Sequence, residues 1–430
     1  MSDNLQTLAA RIQAGQVSAR AYSEQQLSRI RNHEGEVQAW VAVDESRATA
    51  LADACDAARA ARRPLGPLHG IPVGVKDIFD TADLATQMGS EIFAGHRPGR
   101  NAEVIERLIA AGGYVLGKTV TTEFAFMHPG KTRNPWDSEH TPGGSSSGSA
   151  AAVAAGFVPV AIGTQTNGSV IRPAAFCGVV GYKPTAGAIP YAGALHFSPT
   201  LDQVGIFARS VSDAAMFADC VADGALVSGR RAVDRPRIGY LKRFPWNQAE
   251  PEATAWFERA LDHLAAAGAR VEELSLPPEM SRADVTLRTI MLYEAARQHA
   301  ACQAQHRTQM SPTLNAALDE GRALADDVYR AALNQRLRAQ DMARALFAGF
   351  DAVATLPAPG PAPRRLDVTG DPSFCTLWSL LGFPAITVPT ASANGLPLGI
   401  QFAALAGEDE GLLGTAQWCE ARIGLRREPF

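Results

Sequence analysis

Nowhere does the chain carry a run of about eighteen uncharged apolar residues; the nearest, Ser149 to Ile162, is Ala-rich and too short to cross a bilayer. No membrane partner is expected. The opening MSDNLQTLAARIQAGQ is polar, with neither the apolar stretch of a signal peptide nor a lipidation motif. The expectation is a cytoplasmic protein whose mature chain starts there. Dense basic clusters are missing too: 40 Lys plus Arg stand against 44 Asp plus Glu, a net charge of −4, so nucleic acid is not an expected partner. The six cysteines include no CxxC pair, and the nine histidines are scattered without ligand spacing. The cysteines are expected to be reduced core residues, with no metal and no cofactor.

What is there belongs to an ordinary globular chain: 430 residues, 46% hydrophobic and 20% charged. Leu5, Leu8 and Ile12 form one helical stripe, Gly15 breaks it, and Ser18 has the chemistry of an N-cap for the next helix. Further helices are predicted near 46–62, 102–111 and 147–155, and short strands at 73–75, 114–116 and 158–162. That alternation predicts an α/β protein. After Gly205 come more helices, a strand at 237–240 and a helical region over about 252–349. At the end, FDAVATLPAPGPAP reads as a strand entering a Pro-rich loop, and PAITVPTASANGLPLGIQFAA as a hairpin closed by Asn394-Gly395. With no internal repeat, the expected organisation is one domain over 1–430: N-terminal helices 1–62, a core of about 65–215, the helical insertion and a return to sheet over 350–430.

Two motif matches lack their structural context. GGYVLGKT, residues 112–119, satisfies the P-loop pattern, yet a helix precedes it and its middle is itself strand-like. Gly144-Ser145-Ser146-Ser147-Gly148 satisfies the GxSxG nucleophile elbow, yet a polar loop with two prolines stands where a buried strand must lead in.

Chemistry concentrates in TPGGSSSGSAAAVAAG and GTQTNGSVIRPAAFCG, joined by the predicted helix and strand, which can bring Ser145 and Ser169 together at one sheet edge. Each alone fits a linker or a helix cap as well as a site. The third element is Lys76, at the end of the apolar run Ile71 to Val75. A lysine there either snorkels to the surface or, if buried, loses its charge and becomes a base near neutral pH.

In order and spacing, Lys76, GGSSSGS and GTQTNGS resemble the amidase signature family, as do IPVGVKDIFD, GKTVTTEFAF, GVVGYKPTAG, LDQVGIFARSVSDAA and GLPLGIQF. The resemblance is strong over about 65–215 and looser elsewhere. SVIRPAA at 169–175 is most similar to malonamidase-type members. The resemblance implies a large mixed twisted β-sheet covered by helices on both faces, and a serine amidohydrolase working through an acyl-enzyme. It assigns Ser169 as nucleophile, Ser145 as the bridging residue joined to Gly144 by a cis peptide, and Lys76 as terminal base. The backbone N–H groups of Thr166, Asn167, Gly168 and Ser169 become the oxyanion hole, with Ser146, Gly144 and Gln165 in support. A homodimer is implied as well.

The chain departs from the family pattern Asp-x-Gly-Gly-Ser, reading Gln165-Thr166-Asn167-Gly168-Ser169. Gln165 is shared with the malonamidase type and Asn167 is not. If position 167 requires positive φ, Asn is among the few side chains that tolerate it. The hole then either survives with a narrower or more polar pocket, or loses activity. Arg172 stands one place beyond the family's usual arginine; it either holds a substrate carboxylate, as in the malonamidase type, or braces backbone carbonyls. The expected partner is a small carboxylated amide such as malonamate. The alternatives are the glutamine-amidating subunit of a tRNA-dependent amidotransferase and a catalytically impaired binding protein.

Overall fold

The computed structural model describes residues 4–224, 226, 233–393, 395–424 and 429–430. Its strands are β1 (Trp40–Val43), β2 (Pro72–Lys76), β3 (Tyr114–Thr119), β4 (Val160–Gln165), β5 (Val180–Lys183), β6 (Gln203–Ala208), β7 (Arg237–Tyr240), β8 (Arg270–Glu273), β9 (Ala352–Thr355), β10 (Ala385–Ala393) and β11 (Leu396–Ala403). They form one 11-stranded sheet in the order β1-β3-β2-β4-β6-β5-β10-β11-β9-β7-β8. The sheet is mixed: β2 runs parallel to β3 and β4, β7 parallel to β8 and β9, and the remaining pairs are antiparallel.

The early helices are α1 (Leu5–Gln13), α2 (Ala19–Val37), α3 (Glu45–Ala60), α4 (Glu103–Ala110), α5 (Ser147–Ala154), α6 (Ile171–Cys177) and α7 (Val211–Val221). They are followed by α8 (Pro251–Ala266), α9 (Ala283–Gln298), α10 (Ala300–His306), α11 (Pro312–Ala323), α12 (Asp326–Phe347), α13 (Thr376–Leu381) and α14 (Asp409–Ile423). Local chemistry sets several boundaries. Ser18 caps α2 by accepting from Ala21 N, and Gly15, at φ +71°, turns the chain out of α1. The side chain of Asp213 on α7 accepts from Leu5 N at 2.7 Å and so fastens the start of α1 to the body.

Helices α5 and α7 both pack on β4 and β6 but not substantially on each other, so they cover opposite faces of the sheet. Strand β4 is buried along its whole length, which is why VAIGTQ shows no polar alternation. Because β2 and β4 are parallel neighbours, Lys76 and Thr164 emerge together at their carboxyl ends, where open α/β sheets place ligands.

Several expectations need correction. The region 252–349 is not wholly helical: β8 lies within it, pairing with β7 in a short exposed edge. Strands β5 and β6, central to the sheet, are additions to the elements expected from the sequence. Three of the six cysteines, Cys55, Cys220 and Cys302, are only half-buried, and all six are unpaired. Asn394 of the hairpin turn lies outside the described residues, although β10 and β11 pair as expected. GGYVLGKT is occupied by β3, and Lys118 is fully buried, bonded to Phe79 O, Ala85 O and Thr86 Oγ1 and 3.2 Å from Asp77. Its ammonium braces a loop instead of reaching toward a phosphate. No helix among the described residues is long and apolar enough to cross a membrane.

The helical region is tied to the turn before β6 through Glu294 on α9. Its carboxylate accepts from Ser198 Oγ at 2.6 Å, Thr200 N at 3.0 Å, Thr200 Oγ1, and Tyr329 Oη of α12 at 2.6 Å. Replacing Glu294 by Ala strands these donors at once. The expected loss is about 3 kcal/mol of stability, read as a lower urea midpoint with an unchanged slope. A midpoint within error of wild type contradicts the clamp.

Candidate active site

Lys76, the last residue of β2, has no solvent-exposed surface. Its Nζ donates to Ser145 Oγ at 2.7 Å and to Thr164 Oγ1 at 2.8 Å. Burial lowers the ammonium from its ordinary value to about 7, opposed in part by the negative charge of Asp202. A group with that affinity is substantially neutral at physiological pH and able to accept a proton.

Ser145 is almost completely buried, and its peptide bond to Gly144 is cis. Every residue from Thr141 to Ala150 is buried, so the serine-rich segment is packed structure and not a linker. The next residue, Ser146, accepts from Thr164 N at 3.2 Å and donates to Thr164 O at 3.1 Å, closing the loop onto β4. Gly148 is demanded by close approach: a Cβ there would stand 2.3 Å from Ala39 O and Val120 N.

Ser169 lies in the turn between β4 and α6 and is half-buried. Its hydroxyl forms no hydrogen bond among the described residues, so the expected Ser145–Ser169 bond is not present. The two serine segments are nevertheless adjacent, since Gly143 packs on Pro173 and Arg172 Nη2 donates to Gly144 O at 2.7 Å. None of the backbone N–H groups of Thr166, Asn167, Gly168 and Ser169 donates to a described acceptor. The two that follow are occupied: Val170 N and Ile171 N donate to Gln165 Oε1 at 2.8 and 3.0 Å. Gln165 thus caps the start of α6, and the run of N–H groups before it has no acceptor among the described residues.

Asn167 does not adopt positive φ, so the backbone requirement considered for that position does not arise. Its side-chain Oδ1 accepts from Thr376 Oγ1 at 3.0 Å, and its carbonyl accepts from Ser379 Oγ. Ser379 also accepts from Gln165 Nε2 at 3.0 Å, so α13 braces the turn from outside. Thr376 and Ser379 stand in no segment that the sequence marks, whereas Thr164 and Asp202 fall within GTQTNGSVIRPAAFCG and LDQVGIFARSVSDAA without being singled out there.

Arg172 is buried on α6, and burial pulls its guanidinium down to about 10. Nη2 is bonded to Gly144 O and, at 3.2 Å, to Thr369 Oγ1, while Nε and Nη1 have no partner among the described residues. One arm therefore braces backbone and two donors remain for another acceptor.

The sequence family described as Amidase matches residues 22–413. The chain is 34% identical to the A-type subunit of glutamyl-tRNA(Gln) amidotransferase from Symbiobacterium thermophilum, over 96% of this chain and 95% of that one. A crystal structure described as amidase superposes with a TM-score of 0.91 at 32% identity, covering 98% of this chain and 100% of the other. The peptide amidase of Stenotrophomonas maltophilia gives 0.87 at 31% identity, covering 100% and 98%.

Proposed function

The chain belongs to the amidase family and is an amide-cleaving hydrolase, and we propose that it cleaves small linear amides by a Ser169–Ser145–Lys76 relay. The observation that carries this reading is the buried Lys76–Ser145 bond at 2.7 Å, beside four N–H groups that end at Ser169 and have no acceptor among the described residues. Neutral Lys76 takes the Ser145 proton as Ser145 takes that of Ser169, whose Oγ attacks the carbonyl carbon. The developing oxyanion enters the N–H run from Thr166 to Ser169, where one lost donor typically costs ~3–4 kcal/mol of barrier. The proton passes back to the leaving nitrogen, ammonia or amine departs, and water hydrolyses the acyl-enzyme by the same relay. Rotation of the Ser169 side chain toward Ser145 completes the relay when substrate binds.

Within this class, a carboxylated amide such as malonamate is the favoured substrate, supported by the two unpartnered donors of Arg172. The free Nε and Nη1 lie on opposite sides of the guanidinium, so one of them offers a carboxylate a single charge-assisted hydrogen bond, worth about 2 kcal/mol or roughly 30-fold in kcat/KM. Arg172→Ala is therefore expected to lower kcat/KM for malonamate about 30-fold more than for a neutral amide of the same length. Both substrates will lose something, since the bond to Gly144 O also goes. An equal loss for the two makes Arg172 a brace alone.

A second reading, the glutamine-amidating subunit of a tRNA-dependent amidotransferase, is supported by the 34% identity to such a protein over nearly the whole chain. Ammonia release from malonamate, malonamide, neutral aliphatic and aryl amides and glutamine separates the two. Preference for glutamine, rising on addition of a co-purified protein, favours the amidotransferase. Turnover of malonamate by the chain alone favours the independent enzyme.

A further inference from the structure

The turn before β6 ends in Asp202, whose side chain is only 1% exposed although no arginine or lysine among the described residues is bonded to it. Its Oδ1 accepts from Thr166 Oγ1 at 2.6 Å, and its Oδ2 accepts from Phe197 N at 2.8 Å and Ser198 N at 2.9 Å. His196 Nδ1 lies 3.4 Å from Oδ2 on a ring that is 40% exposed. A buried carboxylate costs several kcal/mol unless hydrogen bonds or a nearby cation compensate. Here the bonds come from the 196–198 turn and from the first residue of the N–H run.

The nearby cation is Lys76 in its protonated form: its Nζ donates to Thr164 of β4, two residues before the Thr166 that Asp202 holds, and β4 pairs with β6, whose first residue, Gln203, follows Asp202 and stands opposite Gln165. The other charged or titratable groups around Lys76 are otherwise engaged. Asp77, next in the chain, faces Lys118 of β3. Tyr191, whose hydroxyl meets Thr164 and donates to Leu195 O at 2.9 Å, is held neutral by burial. His196 lies against Tyr191, with ring centroids 4.6 Å apart, and its Nδ1 faces Asp202.

We infer that Asp202 is a positioning residue of the reaction: one buried carboxylate fixes Thr166 at the head of the N–H run and supplies the charge against which Lys76 holds its proton. The inference rests on the Ser169–Ser145–Lys76 reading. During acylation the proton from Ser169 ends on a lysine with no access to water, and Asp202 offsets that buried charge while keeping the N–H run in register. A merely structural brace would stabilise the turn without touching the titration of Lys76.

The test is the pH dependence of ammonia release, together with that of Ser169 labelling by a serine-directed phosphonate. With Asp202→Asn, the acid limb of kcat/KM is expected to move to lower pH by about one unit, because an opposite charge near a titrating group shifts it by that order. The plateau falls roughly 10- to 100-fold as Lys76 becomes a weaker base and Thr166 loses its anchor. Thr166→Val, which keeps the carboxylate, lowers kcat and leaves the limb in place. If Asp202→Asn does not fold, Asp202→Glu carries the test: the charge remains, so kcat falls with the limb unmoved. A limb that stays put in a folded Asp202→Asn, or moves in Asp202→Glu, overturns the inference while the relay stands. Phosphonate labelling that persists in Ser169→Ala means instead that the relay itself is wrong.

Discussion

Ammonia release from the preferred amide is expected to fall at least ~10⁴-fold in Ser169→Ala, because losing the nucleophile leaves only binding and the oxyanion site to accelerate hydrolysis. Fold and stability should be nearly unchanged: the hydroxyl makes no hydrogen bond among the described residues, so its loss orphans no partner. Few changes so small are expected to do so much. Intact secondary structure with no release and no phosphonate labelling is the predicted pattern. Retained turnover within tenfold of wild type would require another nucleophile. Neighbouring Ser145 and Ser146 are poor candidates, since the first is almost fully buried under Lys76 and the second is bonded both ways to the backbone of Thr164.

The second large effect is expected at Lys76. With its affinity lowered to about 7, the neutral fraction grows as pH rises through 7, and kcat/KM should rise with it and level off about a unit above. Below pH 7 the group is mostly ammonium and cannot accept from Ser145, so the rate drops about tenfold per unit. Lys76→Met keeps the apolar volume but removes the base. A loss of roughly 10³-fold or more is expected, together with loss of the pH limb. The variant also assigns the limb. Lys183 is likewise buried and lowered to about 7, yet its Nζ is bonded to Gln203 Oε1, Pro184 O and Phe383 O. If the limb survives in Lys76→Met, it belongs to another group, and the relay loses its base. A wild-type rate that is flat between pH 5 and 9 leads to the same conclusion.

The sequence carries some of this architecture openly and hides the rest. Local signals are reliable where one segment suffices: Ser18 caps its helix, β10 and β11 pair across the Asn-Gly segment, and Lys76 closes an apolar strand as expected. Strands β5 and β6 are harder to see, because VGYK and QVGIFA are buried on both faces and show no alternation. Strand β8 is hidden for the opposite reason: RVEE is exposed and charged, and its pairing with β7 makes it a strand. In the site, the three proposed catalytic side chains and the supports Ser146 and Gln165 stand in recognisable segments, whereas the distant partners of those segments do not. Thr376 and Asn167 meet across 209 positions, Gln165 and Ser379 across 214, and Ser198 and Glu294 across 96. Such pairs are tertiary events with no period or spacing to announce them. At Asn167 the sequence poses a backbone question, and the folded chain turns it into a side-chain one, answered by a helix more than two hundred residues away.

The Gly/Ser segment around Ser145 bears on how the chain can be altered. By composition, GGSSSGS is where an engineer would first insert a tag, a reporter or a second domain. In the folded protein it is walled in on every side, with Gly148 pressed on Ala39 and Val120 and Gly144 on Thr369. Its glycines serve close packing, so the stretch that looks most permissive has the least room. A graft belongs instead at an exposed loop such as Gly95–Arg100, where an added Cβ at Gly95 or Gly99 meets nothing within 4 Å.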